Sequence, residues 1–223
     1  MWNATKRETP NTMQRYDQVS AFILTGGVSS RMGKPKGLLD FGSQPLILRI
    51  ARLIEPLAST VTVIGPPETY EVLGLAVIQD EQFNGPGGND KAQGPLAGIA
   101  TALTATRTDW NLILACDLPY IRSEWLDWLL ARAVASTRQI VMPRTAGGLE
   151  PLAAVYRREC AEAIVAALRR GVRKVTDAME LFRIEFVTER DWGPVDPEGR
   201  VLRNMNAPED YEEARKWLEA RRP

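Results

Sequence analysis

Apolar residues in this chain fall into short continuous runs separated by longer amphipathic stretches. Val19–Thr25, Val61–Ile64, Ala76–Ile78, Asn111–Ala115, Ile140–Met142, Leu152–Tyr156 and Arg183–Val187 read as strands, rich in β-branched residues and bounded by turn formers. Pro45–Ala58 reads as a helix with Leu46, Ile50, Leu53, Ile54 and Leu57 on one face. Further helices are predicted over Glu68–Leu73, Pro95–Ala105, Ser123–Ala135, Glu159–Arg170, Lys174–Leu181 and Pro208–Ala220. In Pro95–Ala105, Ala97, Gly98 and Ala100 permit close packing. Strands alternating with crossover helices predict an α/β fold, a three-layer αβα sandwich around a mostly parallel, doubly wound sheet of Rossmann-like type. The pattern gives a flexible, polar lead-in over residues 1–17 and a single domain over residues 18–223.

In such a sheet, ligands sit outside the carboxyl ends of the strands. Three chemical features fall at predicted strand ends. The first is Thr25-Gly26-Gly27-Val28-Ser29-Ser30-Arg31-Met32-Gly33-Lys34-Pro35-Lys36, a glycine-containing turn with two serines, one arginine and two lysines. Glycine lets a backbone approach a ligand closely, and successive N–H groups in a turn can converge on an anion. With Arg31, Lys34 and Lys36 beside them, the ligand this turn suits is a polyphosphate such as a nucleotide. The alternative is a basic surface turn. A Walker A loop is excluded, because five residues separate Gly27 from Gly33 and Pro35 takes the hydroxyl position. Val28 stands where the dinucleotide fingerprint needs its second glycine.

The second feature is Asp117, which follows the strand ending Leu114-Ala115-Cys116 and precedes Leu118-Pro119. A carboxylate at a sheet rim can bind Mg²⁺, which prefers oxygen ligands and bridges carboxylates to substrate phosphates. A turn-forming or capping aspartate is the alternative. Asp80, after the strand Ala76–Ile78, is the third and weakest of the three. Residues 81–94 hold four glycines and a proline and form a loop of the length used for lids and binding loops.

Composition narrows the chemistry. Lys plus Arg and Asp plus Glu each number 28, so no global field points to nucleic acid or an anionic membrane, and local clusters must carry any phosphate binding. There is no histidine, which excludes a Ser-His-Asp triad, a Cys-His pair and a His-containing zinc site within the chain. The two cysteines, Cys116 and Cys160, make no metal-ligand motif and read as free thiols of a reducing compartment. The first residues lack a signal-peptide core, and no apolar run is long enough to span a bilayer, so a cytoplasmic protein is expected.

Four motifs in order add a resemblance. Leu24-Thr25-Gly26-Gly27-Val28-Ser29-Ser30-Arg31-Met32-Gly33-Lys34-Pro35-Lys36, Gly94-Pro95-Leu96-Ala97-Gly98, Cys116-Asp117-Leu118-Pro119-Tyr120 and Asn204-Met205-Asn206-Ala207-Pro208-Glu209-Asp210 together resemble the molybdenum cofactor guanylyltransferases, over residues 19–218. These belong to a wider nucleotidyltransferase group that also activates sugars and isoprenoid precursors. The first motif marks the group; the Gly-Gly pair with the Asn-x-Asn-x-Pro-Glu-Asp ending points to the guanylyl member. The resemblance implies that GMP passes from GTP to the terminal phosphate of molybdopterin with loss of pyrophosphate. It implies nucleotide contacts at Leu24, Thr25, Gly26 and Gly27, a phosphate-binding Lys36, a guanine-side Asp80, and Asp117 as ligand of both nucleotide and Mg²⁺. Asn204 and Asn206 lie in the segment expected near the pterin; Asn206 also reads as the N-cap of the last helix. Arg31, Lys36 and Asp117 are the expected catalytic groups, acting by charge and position. Partners would be GTP, molybdopterin and proteins that deliver the cofactor, with a monomer favoured as the oligomeric state.

The chain departs from the family pattern at three places. Thr25 stands for the usual alanine, Gly65 for a frequent asparagine that contacts the nucleotide, and Glu150 for a frequent histidine. An acceptor phosphate is already anionic near neutral pH, so attack at the α-phosphorus needs no strong base, and the lack of histidine is no objection. Two rivals remain open at this level: a nucleotidyltransferase pairing CTP with molybdopterin or a nucleotide with a sugar phosphate, and a non-catalytic nucleotide-binding regulator.

Overall fold

Ten strands and eight α-helices follow one another in the computed structural model, which describes residues 13–26, 34–83 and 94–221. They are β1 (Tyr16–Leu24), β2 (Asp40–Phe41), β3 (Gln44–Pro45), α1 (Leu46–Ile54), β4 (Ala58–Ile64), α2 (Pro67–Tyr70), β5 (Ala76–Ile78) and α3 (Pro95–Ala105). Then come β6 (Trp110–Ala115), α4 (Ser123–Ala135), β7 (Ile140–Thr145), β8 (Gly148–Leu149), β9 (Ala153–Arg157), α5 (Cys160–Arg169), α6 (Val175–Met179), β10 (Ile184–Val187), α7 (Glu189–Trp192) and α8 (Pro208–Glu219). The main sheet runs β10-β7-β9-β6-β1-β4-β5, with β8 paired to β7. Strands β1, β4, β5 and β6 are mutually parallel, as are β7 and β10, while β9 is antiparallel to β6 and β7.

Both faces of the sheet are covered. Val19, Ala21 and Ile23 of β1 and Leu112 and Leu114 of β6 pack on one side with residues of α1, α4 and α8. Phe22, Leu24 and Ile113 pack on the other with residues of α3 and α5. This explains why the strands read as unbroken apolar runs rather than alternating ones. Burial on both faces also fixes register, since a one-residue slip would exchange the two sets. The expected three-layer α/β sandwich is therefore the observed fold.

Several boundaries differ from the sequence expectation. Helix α1 stops at Ile54 rather than Ala58, because Pro56 has no N–H with which to carry the i→i−4 ladder past Glu55. Ala58-Ser59-Thr60 instead open β4, three residues ahead of the expected Val61. Strand β1 begins at Tyr16, whose N–H donates to Leu57 O at 2.7 Å and whose hydroxyl donates to Asp127 at 2.9 Å. Residues 1–12 of the expected lead-in lie outside the described residues. Helix α6 is shorter than expected, and Glu68–Leu73 divides into the single turn α2 and a following 3₁₀ turn. Both cysteines are free, as expected, and both are buried.

Candidate active site

The carboxyl ends of the parallel strands form a row in the order β6, β1, β4, β5. Asp117 follows β6, Leu24 to Gly26 close β1, Gly65 follows β4 and Asp80 follows β5. Adjacent strands lie about 4.8 Å apart, so the row spans about 14 Å from Asp117 to Asp80. The backbone continues the sheet into this rim: Cys116 N–H donates to Leu24 O (3.1 Å), Thr25 N–H to Ile64 O (3.1 Å) and Gly65 N–H to Ile78 O (3.0 Å). The strand ends, and with them the candidate groups, are thus held in register by the ladder itself.

At the β6 end, the Lys36 ammonium donates to Asp117 Oδ2 at 2.8 Å and to Asn206 Oδ1 at 2.8 Å. The Lys36 and Asp117 side chains are only 17% and 19% exposed, so this is an ion pair set into the rim rather than a solvated surface contact. Lys36 opens a 3₁₀ turn, Lys36–Leu38, that leads to the hairpin of β2 and β3. The segment bearing Asn204 and Asn206 reaches the site because buried Met205 anchors it, its N–H donating to Asp117 O at 3.0 Å. Asn204 is exposed.

Asn206 is not the cap of α8. That position belongs to Ala207, and the Asp210 carboxylate satisfies the orphan donors by accepting from Asn206 N–H and Ala207 N–H, each at 2.9 Å. These bonds hold the Asp210 carboxyl below its usual range. The asparagine side chain is thereby released from the helix end and turned to Lys36.

At the opposite end, Asp80 keeps an exposed edge, while the protein behind its carboxyl pushes its pKa above the ordinary aspartate value; the Thr101 hydroxyl acts in the other direction. Thr101 also accepts from Glu81 N–H (3.0 Å), tying the start of the following loop to α3. Gly98 explains the second motif: a Cβ there would fall 2.8 Å from Leu24 Cδ2 and 3.5 Å from Asp80 Oδ1. Only a residue without a side chain lets α3 pack this closely on the row.

In the middle of the row, Thr25 and Gly65 share one volume. A Cβ on Gly65 would lie 2.0 Å from Thr25 Oγ1, which donates to Ile64 O at 3.0 Å. The two departures from the expected pattern are therefore one structural feature. The third, Glu150, is half-buried and within electrostatic reach of Asp117. Burial raises its pKa first, the repulsion from Asp117 and Glu189 adds to this, and its contact with the Thr145 hydroxyl opposes it. Sequence reasoning did not connect Glu150 with Asp117, nor Asp210 with Asn206. The spacing Asn206-Ala207-Pro208-Glu209-Asp210, with a carboxylate three residues after the cap, is the signal that shows the latter.

Gly26 is exposed beside Thr25. Gly27 and Arg31, and residues 84–93 of the expected loop, lie outside the described residues. The geometry that remains is a row of backbone and polar groups ending in a lysine–carboxylate pair.

A model of the MobA-like NTP transferase domain matches residues 21–184. The chain belongs to the MobA-like NTP transferase family. A probable molybdenum cofactor guanylyltransferase of Pelotomaculum thermopropionicum is 32% identical over 203 residues, covering 91% of this chain and 94% of the relative. One of Trichormus variabilis is 33% identical over 202 residues, covering 87% and 89%. Among solved structures, molybdopterin-guanine dinucleotide biosynthesis protein A of Archaeoglobus fulgidus superposes with a TM-score of 0.76 at 23% identity, over 90% of this chain and 99% of that one. The 2-C-methyl-D-erythritol 4-phosphate cytidylyltransferase of Thermus thermophilus superposes at 0.62 with 15% identity, over 89% and 98%. The fold is thus common to MobA-like and other nucleotidyltransferases, and the chain is a nucleotidyltransferase. Among the described residues, no helix is long and apolar enough to cross a membrane.

Proposed function

We propose that this protein transfers GMP from GTP to the terminal phosphate of molybdopterin, releasing pyrophosphate and forming the guanine dinucleotide cofactor. The observation that carries the reading is the double contact of Lys36, at 2.8 Å from both Asp117 and Asn206. It joins the strand-end carboxylate to the segment assigned to the acceptor. Relatives at 32% and 33% identity over most of the chain, both named for guanylyl transfer to the molybdenum cofactor, support the choice of substrates.

In this reading the triphosphate lies toward the β6 end of the row and the guanine toward Asp80. Leu24 to Gly26, with Gly27 and Arg31 of the following turn, take the nucleotide between them. An oxygen of the acceptor phosphate attacks the α-phosphorus in line, and the bond from that phosphorus to the oxygen bridging to the β-phosphate breaks. Lys36 exchanges its bonds to Asp117 and Asn206 for phosphate oxygens and offsets the repulsion between the two anions. Such preplaced charge is the main catalytic device available to phosphoryl chemistry.

Asp117 fits a Mg²⁺ site. It offers hard oxygen donors at a partly open rim, and Mg²⁺ usually takes one or two carboxylates with substrate phosphates and water. No group of three or more His, Cys, Asp or Glu among the described residues could enclose an ion, so the triphosphate would complete the coordination. Bound there, Mg²⁺ would supply neutralisation of the charge that builds around the α-phosphorus. Asn204 and Asn206 face the acceptor.

The test is pyrophosphate release with molybdopterin, in the presence of Mg²⁺ and each of GTP, CTP, ATP and UTP in turn. Release is expected with GTP and is expected to stop when the metal is chelated. A preference for CTP, or release only with a sugar phosphate as acceptor, overturns the substrate assignment. Tight GTP binding without release would make the protein a regulator.

A further inference from the structure

Thr25 is enclosed on three sides at the centre of the row. Its hydroxyl donates to Ile64 O at 3.0 Å, and the buried Tyr70 lies beside it. The third side is Gly65, where a Cβ would fall 2.0 Å from Thr25 Oγ1, 3.3 Å from Thr25 Cβ and 3.5 Å from the Tyr70 ring. Tyr70 is 1% exposed, so neither it nor the strand carbonyl gives Thr25 room to turn away downwards. A side chain at position 65 would drive Thr25 off its rotamer, and the open direction is outward, into the rim where the nucleotide is assigned. Gly65 itself has its N–H bonded to Ile78 O and an ordinary backbone conformation, so no local strain requires glycine there. The requirement comes from Thr25.

We propose that Thr25 and Gly65 act as one steric unit that sets how closely the nucleoside of a ribonucleoside triphosphate approaches the tip of β4. This rests on the nucleotide-binding reading above. Thr25 fills from β1 the space that a residue on β4 would otherwise fill. The nucleoside therefore meets the bare backbone of Gly65, and a larger residue at 65 is compatible with binding only when residue 25 is small. Position 65 alone does not set nucleotide affinity; the pair does.

The experiment is a double-mutant cycle on the full chain, read by titration with GTP and Mg²⁺ and by the KM values for GTP and for the acceptor. Gly65→Ala is expected to raise the GTP Kd and KM at least tenfold while leaving the acceptor KM within a factor of about two, because the acceptor segment lies at the other end of the row. Thr25→Ala alone keeps the backbone contacts of the strand end and is expected to raise the GTP Kd less than Gly65→Ala does. Thr25→Ala with Gly65→Ala is expected to bind GTP within threefold of Thr25→Ala alone. Thr25→Val with Gly65→Ala keeps the branched volume and is expected to stay impaired. Additive effects, rescue by Thr25→Val, or an equal rise in both KM values would each overturn the proposal. If Gly65→Ala does not fold, recovery of folding and GTP binding in the Thr25→Ala double variant reports the same coupling, and an unfolded double variant overturns it. A native protein that binds no nucleotide would instead sink the underlying reading of the site.

Discussion

Lys36 and Asn206 are 170 residues apart in the chain, and their side chains meet at 2.8 Å. The contact exists because Asp210 takes over the capping of α8 and leaves the asparagine free to turn inward. Loss of a hydrogen bond to a charged group costs about 1.5–3 kcal/mol. Asn206 is also assigned to the anionic acceptor, where a hydrogen bond to charge is worth as much, so Asn206→Ala is expected to lower kcat/KM for transfer about 10- to 100-fold and to lower the melting temperature modestly. Asn206→Asp places a second carboxylate on Lys36 and is expected to raise the GTP KM further than the alanine variant does. If the aspartate variant binds GTP as the native protein does, Lys36 is not a phosphate ligand.

In the proposed reaction the two charges of the Lys36–Asp117 pair are needed separately. Lys36→Ala and Asp117→Ala are each expected to fold and to lose about 10²- to 10³-fold in turnover, as when one preplaced donor is removed from an active site. Lys36→Ala leaves a carboxylate that is only 19% exposed without its counter-charge, so a modest fall in melting temperature is expected as well. Circular dichroism melts and single-turnover pyrophosphate release separate the two effects. Native turnover in either variant removes that residue from the mechanism.

In the proposed site, Asp80 is expected to link nucleotide affinity to pH. Burial raises its pKa in the folded protein above the ordinary 3.8, so its ionised form is disfavoured relative to the unfolded chain. Ionised Asp80 therefore costs stability above that range, and the cost fades as pH falls through the raised pKa. Binding is expected to have the opposite sign, because the two oxygens of the carboxylate can accept from guanine N1–H and N2–H together, whereas the protonated acid keeps only one good acceptor. GTP affinity is expected to weaken as pH is lowered into the window above 3.8, and Asp80→Asn is expected to flatten this dependence while raising stability at neutral pH. A GTP Kd with the same pH profile in both proteins would place Asp80 outside the base site.

The fold was largely legible because continuous apolar runs signal strands buried on both faces, and β1 and β6 are such strands. The antiparallel placement of β9 was legible only in part. The interval between the strands at Ile140 and Tyr156 has Gly147-Gly148 and no helix, and so short a return permits only antiparallel pairing. Glycine-rich turns and strand-end carboxylates revealed the site because they break the apolar pattern. What escaped were relations set by three-dimensional approach. No local pattern tells that the Thr25 hydroxyl lies in the space of residue 65, or that burial brings Glu150 into the field of Asp117.

Gly98 shows how such an approach can be tested from the packing side. Alanine is favoured over glycine within a helix by about 1 kcal/mol, so on propensity alone Gly98→Ala should stabilise α3. The new Cβ, however, would sit 2.8 Å from Leu24 Cδ2 and 3.1 Å from Leu24 Cγ, and overpacking of this kind costs about 1–3 kcal/mol. The second effect is larger, because Leu24 is 6% exposed and held by β1 in the sheet. Net destabilisation of about 1 kcal/mol is expected, or about 2–4 °C in melting temperature for a chain of this size. Leu24 and Asp80 both border the intruding methyl, so a rise in the GTP KM should accompany the loss of stability while the acceptor KM stays unchanged. A more stable Gly98→Ala protein with native GTP binding would show that α3 can move away from the row, and that the glycine serves the helix rather than the site.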